Sequence, residues 1–175
     1  MHKVRNTLII TVNKRKENKM IEQLKEDTYT FNTIAGTDLA VHHAALYQQF
    51  AVLLEEVQEI EDALYYGDLT EVADGVIDTL VVALGLWQKL ENKGVDMNKA
   101  AELIAANNLS KYPSLTKSEV VDATIEMYKA KGIEVEVTSN IPYHCYVFRN
   151  KATGKILKPY GFESVDISSC IPEEF

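Results

Sequence analysis

The sequence predicts a mainly α-helical fold: an antiparallel helical bundle of about five helices with a small C-terminal β hairpin or meander. Three observations support this prediction. Apolar residues recur at spacings of three and four over most of residues 17–131, which is typical of helices with one buried face. Glycines interrupt that pattern at short intervals, so each helix is joined to the next by a short turn. After residue 132 apolar and polar residues alternate, as they do in strands.

The length of 175 residues predicts a single domain, with a helical core over 17–131 and a β-containing tail over 132–175. A formal net charge of −8 argues against a nucleic-acid partner. No apolar run is long enough to cross a membrane and no signal-peptide pattern is present, so a cytoplasmic protein without a membrane partner is expected. Cys145 and Cys170 form no C-x-x-C pair and are predicted to be reduced thiols without a metal role.

The first part of the chain predicts a short strand over 7–12 and a helix over 19–34 that ends at Gly36. The three basic residues at 14–16 are interpreted as a solvated arm rather than a nucleic-acid contact. His42 and His43 are adjacent and would point to different helix faces. They are therefore expected to serve a helix start or the surface, and not to chelate one metal ion together.

Helices are predicted over 44–66 and 70–92, separated by Gly67 and Asp68. The second of these is apolar on nearly every side, which predicts a helix that is buried on most sides and covered by a partner subunit. Gly75 and Gly85 are costly inside a helix, so a close approach of another helix or room for a ligand is expected at each.

A fourth helix is predicted to begin at Asp96 and to end before Tyr112, where the following proline disfavours helical backbone. The fifth is predicted over 117–131 and stops at Gly132. Alternating stretches at 134–138 and 143–148 predict two strands, and 150–154 predicts a turn that leads into 155–158.

Two carboxylate clusters lie on the predicted second and third helices. Residues three and four apart share a helix face, so each cluster projects its acids as a group. No lysine or arginine occurs between Leu53 and Trp87. Acids that face each other without a cation repel, and a divalent metal is the simplest resolution. The clusters are Glu55, Glu56 and Glu59, and Glu71, Asp74 and Asp78.

All-carboxylate ligation favours Mg²⁺, with Mn²⁺ as a substitute. Asp78 is surrounded in sequence by apolar residues, which predicts that it is at least partly buried. The alternative for the first cluster is a solvated acidic helix face, since such faces are common.

The pattern of Glu55, Glu56 and Glu59 followed by Glu71 and Asp74 resembles the signature of the all-alpha nucleoside triphosphate pyrophosphohydrolases. This is the MazG-like and phosphoribosyl-ATP-pyrophosphohydrolase-like superfamily. The segment 73–78 is similar to the bacterial and phage branch, as are an Asn-x-Ser-Lys element at 108–111 and a Gly-Lys-x-x-Lys element at 154–158. The resemblance covers about residues 31–166.

The resemblance implies a Mg²⁺-dependent enzyme that cleaves an NTP or dNTP between its α and β phosphates. A homodimer or homotetramer is expected, because a partner subunit would cover the predicted third helix. It implies that the metal ligands are Glu56, Glu59, Glu71 and Asp74, with Asp78 as a fifth ligand or a replacement, and that Glu55 is the candidate base or an acid behind the ligands. Asn108, Lys111, Lys155 and Lys158 would bind phosphates, and Tyr128 or Tyr160 would stack on the base or ribose unless they serve packing.

One departure from the family pattern affects Glu71. If Asp78 matches the final aspartate of the family, then Gly75 stands where its glutamate is expected, and Glu71 is not a direct ligand. Three other functions remain open: hydrolysis of phosphoribosyl-ATP, a di-iron carboxylate bundle, and a helical oligomer that binds nucleotides without turnover. The di-iron site is disfavoured because it requires Glu-x-x-His pairs, and a P-loop enzyme because no Walker-type loop occurs.

Overall fold

The computed structural model describes the backbone of residues 2–173 and the side chains of residues 19–173. Within these residues it contains five α-helices and a two-stranded antiparallel sheet, which confirms the predicted fold class. The chain forms two compact units. Unit 1 comprises Met1–Met97 with Pro172–Phe175, and unit 2 comprises Asn98–Ile171. The predicted division near residue 131 therefore falls within unit 2, because the fifth helix joins the sheet rather than the other helices.

Unit 1 begins with α1 (His2–Ala35), which ends at Gly36 in a left-handed conformation (φ 68°). The strand predicted over 7–12 is wrong, since this segment is helical. A strand needs a neighbour to satisfy its backbone groups, whereas a helix satisfies them internally. The side chains of 14–16, which were predicted to form a solvated arm, lie outside the described residues.

The next two helices form an antiparallel hairpin, α2 (His43–Tyr66) and α3 (Leu69–Asn92). Gly67 ends α2 at φ 74°, and the Asp68 carboxylate accepts the backbone N–H groups of Thr70 (3.0 Å) and Glu71 (3.2 Å). The His42 imidazole accepts the N–H of Ala45 at 3.2 Å, which confirms the predicted helix-start role for this histidine.

Both glycines of α3 lie at close helix contacts, as predicted. A Cβ at Gly75 would lie 2.8 Å from Ile60 Cγ1 on α2. A Cβ at Gly85 would lie 2.8 Å from Gln49 Nε2 on α2 and 3.2 Å from Asn32 Nδ2 on α1. A Cβ at either position would force a neighbouring side chain to move, so glycine permits the close approach of the helices at both.

Polar side chains join α1 to α3. Glu91 accepts hydrogen bonds from Tyr29 Oη (2.5 Å) and Trp87 Nε1 (2.7 Å), and it forms an ion pair with Lys25 Nζ (3.3 Å). Burial alone would raise the pKa of Glu91, but these hydrogen bonds and the lysine charge outweigh it and lower that pKa. The network therefore stabilises the ionised carboxylate and holds the two helices together.

The N-terminal half of α3 is less covered than its sequence predicts. Val76 is 51% exposed and Ile77 is 50% exposed, whereas Leu84, Gln88 and Lys89 in the second half are buried. This chain alone therefore leaves the first half of α3 accessible, and its predicted cover by a partner subunit stays a prediction. The hydrogen bonds that link the described side chains of α1 to α3 lie in the second half of α3, and α2 covers one side of the first.

Unit 2 contains most of α4 (Met97–Leu109), α5 (Glu119–Lys129), β1 (Val135–Asn140) and β2 (Cys145–Asn150). The two strands are antiparallel, with Val135 opposite Asn150 and Asn140 opposite Cys145. The predicted hairpin is thus confirmed, with strand bounds shifted by one or two residues. Segment 155–158 forms no full strand; it reaches β2 through a bridge between Arg149 and Ile156.

The core of unit 2 forms around two fully buried side chains, Phe148 of β2 and Thr124 of α5. The Thr124 hydroxyl donates to the Val120 carbonyl (2.6 Å) and accepts the backbone N–H of Tyr160 (2.8 Å). The bond from Tyr160 therefore connects the segment after the sheet to α5. Neither Cys145 nor Cys170 forms a disulfide within the described residues.

We expect Tyr29→Phe to reduce the free energy of unfolding by about 1–3 kcal/mol at pH 7, because it removes a hydrogen bond to a charged, partly buried acceptor. Trp87 is the only tryptophan and belongs to the same network, so its fluorescence reports the denaturant transition. The lowered pKa of Glu91 stabilises the fold above the usual glutamate value of about 4.3 and ceases to do so as the pH falls through the folded-state value.

The difference between wild type and Tyr29→Phe should accordingly shrink in strong acid. The matched control is Tyr66→Phe, since Tyr66 is 80% exposed and should tolerate the same change. Equal stability of wild type and Tyr29→Phe at pH 7 would contradict the role given to this network.

Candidate functional site

The predicted site acids of unit 1 occupy facing parts of α2 and α3. On α2, Glu56 is half-buried while Glu55 and Glu59 are exposed. On α3, the acids at 71, 74 and 78 are all exposed. The contact between Ile60 and Gly75 brings these parts of the two helices together. Carboxylates from two helices are therefore presented at one surface of unit 1.

Glu56 lies at the centre of the group. Its pKa is raised, chiefly by burial and then by the charges of Glu59, Asp78, Glu55 and Asp74. Like charges disfavour ionisation, so a carboxylate surrounded by four others holds its proton more strongly. Four of the other five predicted acids thus act on Glu56 through their charge, and two of these four are on α3.

The expectation that Asp78 is at least partly buried is wrong, because the side chain is exposed in this chain. Its apolar sequence neighbours Val76 and Ile77 are themselves about half exposed, so they do not enclose it. Within the described residues no set of three or more acidic, histidine or cysteine side chains is grouped closely enough to hold a metal ion. The charges of these acids act on Glu56, but within the described residues their side chains do not form a coordination shell.

Glu71 belongs to a neighbouring cavity. This cavity has a volume of about 460 Å³ and is lined by Glu59, Asp62, Tyr66, Asp68 and Glu71. Glu71 is not among the charges that raise the pKa of Glu56. Glu59 is the acid common to the cavity and to the Glu56 group.

Asp62 and Asp68, which also line this cavity, are not among the candidate residues predicted from the sequence. Asp62 follows Glu59 by three residues and so shares its helix face, a spacing that could have identified it. Its carboxylate accepts a hydrogen bond from Gln58 Nε2 at 3.1 Å. The Asp68 carboxylate caps α3 by accepting the backbone N–H of Thr70.

The predicted phosphate-binding and base-stacking residues lie in unit 2. Lys111 Nζ donates to Asn108 Oδ1 at 2.8 Å, so the structure brings these two side chains together at the end of α4. The backbone N–H of Lys158 donates to the Tyr128 hydroxyl at 3.2 Å, and Lys158 Nζ lies 4.8 Å from the centre of the Phe162 ring. Lys155 is exposed at the turn after β2.

No protein-family model, curated protein or solved structure significantly matches this chain. The resemblance to the all-alpha nucleoside triphosphate pyrophosphohydrolases therefore stays a prediction that depends on the acid motifs and their geometry. None of the described helices is long and apolar enough to cross a membrane.

We expect Glu56→Gln to raise Tm by about 1–3 °C at neutral pH without divalent metal, because it removes like-charge repulsion. A carboxyl group whose pKa is raised by folding costs stability as the pH rises from its unfolded value, about 4.3, through its folded value. The gain should therefore disappear below about pH 4, where wild-type Glu56 is protonated in both states.

Thermal unfolding in EDTA across this pH range provides the measurement. Glu61→Gln on the same helix is the control, since Glu61 is exposed and is not among the charges that act on Glu56. A Tm gain that is equal in both variants, or that persists in acid, would contradict the proposed repulsion.

Proposed function

We propose that this protein is a Mg²⁺-dependent nucleoside triphosphate pyrophosphohydrolase that converts an NTP or dNTP into the nucleoside monophosphate and pyrophosphate. One observation carries the proposal: Glu56 is half-buried and faces four other carboxylates from two helices, with no basic residue in the 53–87 segment to neutralise them. Such an arrangement disfavours its own ionised state unless a cation is bound.

The donor chemistry fits a hard divalent ion. Every candidate ligand is a carboxylate oxygen, which suits Mg²⁺ better than a soft metal. Mg²⁺ usually keeps several waters and takes only one or two protein carboxylates together with substrate phosphates. A surface of exposed acids that forms no closed shell of its own is compatible with that mode of binding.

When bound, the metal would neutralise phosphate charge and polarise the attacking water. Glu56, Glu59, Asp74 and Asp78 are the proposed ligands, and Glu71 is assigned to them or to the adjacent cavity. A bound cation would offset the like charges that raise the pKa of Glu56 and would favour its ionised form. Glu55 is the proposed base, since its charge adjoins the group while its exposed side chain can reach water.

The 53–87 segment contains no basic residue, so the groups proposed to bind phosphates are those that the resemblance implies elsewhere in the chain. Asn108, Lys111, Lys155 and Lys158 are proposed to contact substrate phosphates. Tyr128 is proposed to contact the base or ribose, although its hydroxyl already accepts the Lys158 N–H. Hydrolysis of phosphoribosyl-ATP would use the same groups, and a non-catalytic binding protein would keep affinity without releasing pyrophosphate.

We expect Glu59→Gln or Asp74→Asn to reduce Mg²⁺-dependent pyrophosphate release by at least about 100-fold, because each removes a proposed metal ligand. Both side chains are exposed, so the helical circular dichroism spectrum should not change. The assay uses a panel of NTPs and dNTPs together with phosphoribosyl-ATP, and it measures monophosphate and pyrophosphate.

Glu61→Gln is the matched control and should retain wild-type rates. Near wild-type turnover in both Glu59→Gln and Asp74→Asn would exclude this site. Nucleotide binding by the wild type without product would favour the non-catalytic protein instead.

We further propose that the active form is a homodimer or homotetramer. Large apolar side chains flank the acids, and within unit 1 they remain accessible: Leu54 is 52% exposed, Val57 47% and Ile77 50%. Contiguous exposed apolar surface is typical of interfaces. A second copy of the same face would bury these side chains in a symmetric contact and would enclose the acids between subunits.

In light scattering coupled to size exclusion, Ile77→Asp should shift the molar mass from an oligomer towards 19.7 kDa, the mass of one chain. The added charge would be buried without a partner at the interface, which is costly. Ile141→Asp is the control, because Ile141 is 62% exposed and lies in unit 2. A monomeric wild type, or an unchanged mass in Ile77→Asp, would contradict the proposed interface.

A further inference from the structure

A cavity of about 420 Å³ lies within unit 2, at the hairpin formed by β1 and β2. Its volume falls in the range of small-molecule sites. The residues that matter for its chemistry are Tyr112, Asn140, Tyr143, Cys145, Val147 and Arg149. The proposed hydrolysis uses none of them.

One wall of the cavity is a face of the hairpin. Alternation along β2 places Cys145, Val147 and Arg149 on the same face, and Asn140 is the partner of Cys145 across the sheet. Phe148 points to the opposite face and is fully buried. Because the other face is packed in the core, the wall that carries Arg149 has a fixed position.

Arg149 has unused hydrogen-bonding capacity. Its side chain is half-buried, and Nη1 donates to Thr138 Oγ1 at 3.3 Å. Glu136 is the cross-strand partner of Arg149 and so lies on the same face of the hairpin, but its carboxylate forms no ion pair with the guanidinium. A guanidinium has five N–H donors in a planar fork that matches carboxylate and phosphate groups. The cavity therefore contains a positioned guanidinium whose remaining N–H donors can bind an anionic group, for which Glu136 is the local competitor.

The remaining walls suit a planar apolar group. Tyr112 is half-buried and Tyr143 is 80% exposed. Tyr143 ends a short 3₁₀ turn that is followed by His144 in a left-handed conformation (φ 50°). Val147 is buried at the floor. Tyrosine rings stack on aromatic groups, and the Asn140 amide offers both a donor and acceptors.

We propose that this cavity binds a small molecule in which a planar aromatic ring carries a phosphate or carboxylate group. The anion would pair with Arg149 and the ring would lie against Tyr143. An uncharged apolar molecule would leave the guanidinium without a partner, and inorganic phosphate would leave the tyrosines uncovered. This binding is independent of divalent metal and of the acids of unit 1.

Cys145 provides a local reporter of occupancy. Its thiol lines the cavity and is half-buried, whereas Cys170 is 3% exposed. Iodoacetamide, which is small and uncharged, should therefore alkylate Cys145 first in the native protein, and Cys145→Ser should abolish this fast phase. A bound ligand should slow the alkylation. Intact mass measured over time, in EDTA, gives the rate.

The probes distinguish a phosphate ligand from a carboxylate ligand, and they test whether the ring and the anion are both needed. AMP, GMP, CMP and UMP each join an aromatic base to a phosphate through a ribose, and benzoate and indole-3-acetate each join an aromatic ring to a carboxylate. Adenosine carries the ring without the anion, and inorganic phosphate is the anion without the ring. We expect at least one ring-containing anion to slow Cys145 alkylation and to bind in calorimetry, with adenosine and phosphate at least about tenfold weaker. Which anion type binds identifies the source of the ligand.

The variants test the assignment of the site. Arg149→Gln and Tyr143→Ala should each weaken binding by at least about tenfold, and Arg149→Lys should be intermediate because it keeps the charge and loses the fork. Lys151→Gln is the matched control, since it removes a charge from the same hairpin outside the cavity, and it should bind as the wild type. Tyr143 is largely exposed, so its replacement should not unfold unit 2.

Three results would overturn the proposal: no probe protects Cys145 in the wild type, binding persists in Arg149→Gln, or Lys151→Gln loses affinity as strongly as Arg149→Gln. A requirement for Mg²⁺, or a loss of binding in Glu59→Gln, would assign the ligand to the acids of unit 1 and would also overturn it. The cavity ligand should bind Glu59→Gln as it binds the wild type. The result of this test therefore does not depend on whether the protein is a hydrolase.

Discussion

The close contact between α2 and α3 is the constraint on which the candidate site depends. At Gly75 the helices are so near that a Cβ would lie 2.8 Å from Ile60 Cγ1. This spacing brings Asp74 and Asp78 within electrostatic reach of Glu56. A larger residue at Gly75 would therefore require a shift of Ile60 or of the helix spacing. Gly75 is unfavourable inside a helix, but it permits the close approach of α2 and α3 that makes this group of acids a candidate metal site.

Polar contacts hold α1 against α3 in unit 1. Asn32 Nδ2 donates to Gln88 Oε1 at 2.9 Å, and buried Lys89 donates to the Thr37 carbonyl near the C-terminus of α1. Burial lowers the pKa of Lys89, while the nearby Asp38 opposes that shift. Together with the Glu91 network, these contacts hold α1 against the second half of α3. The first half, which carries the acids, is left with accessible apolar neighbours that a second copy would cover.

The candidate residues of the two units differ in charge. The 53–87 segment of unit 1 contains no basic residue, whereas unit 2 contains lysines at 111, 155 and 158 and an arginine at 149. Arg149 differs from the lysines because it lines a cavity on the hairpin wall, and that difference is the reason for proposing a separate ligand there.

The sequence by itself determined the helices, their turns and the hairpin, because those features depend on local periodicity and on residues such as Gly67 and Asp68 that act within a few positions. It also identified the acids that surround Glu56, since spacings of three and four fix a shared helix face. Only the tertiary structure decided which acids meet across two helices, and that Glu71 faces another cavity.

Whether a side chain is buried could also be decided only from the tertiary structure. An apolar sequence around Asp78 suggested an enclosed side chain, but exposure depends on which surfaces pack against it, and those surfaces come from distant parts of the chain. The strand predicted over 7–12 was wrong for a related reason: strand formation requires a pairing partner that local sequence does not specify. The cavity at Arg149 likewise arises from strand register and the end of α4, which no local pattern encodes.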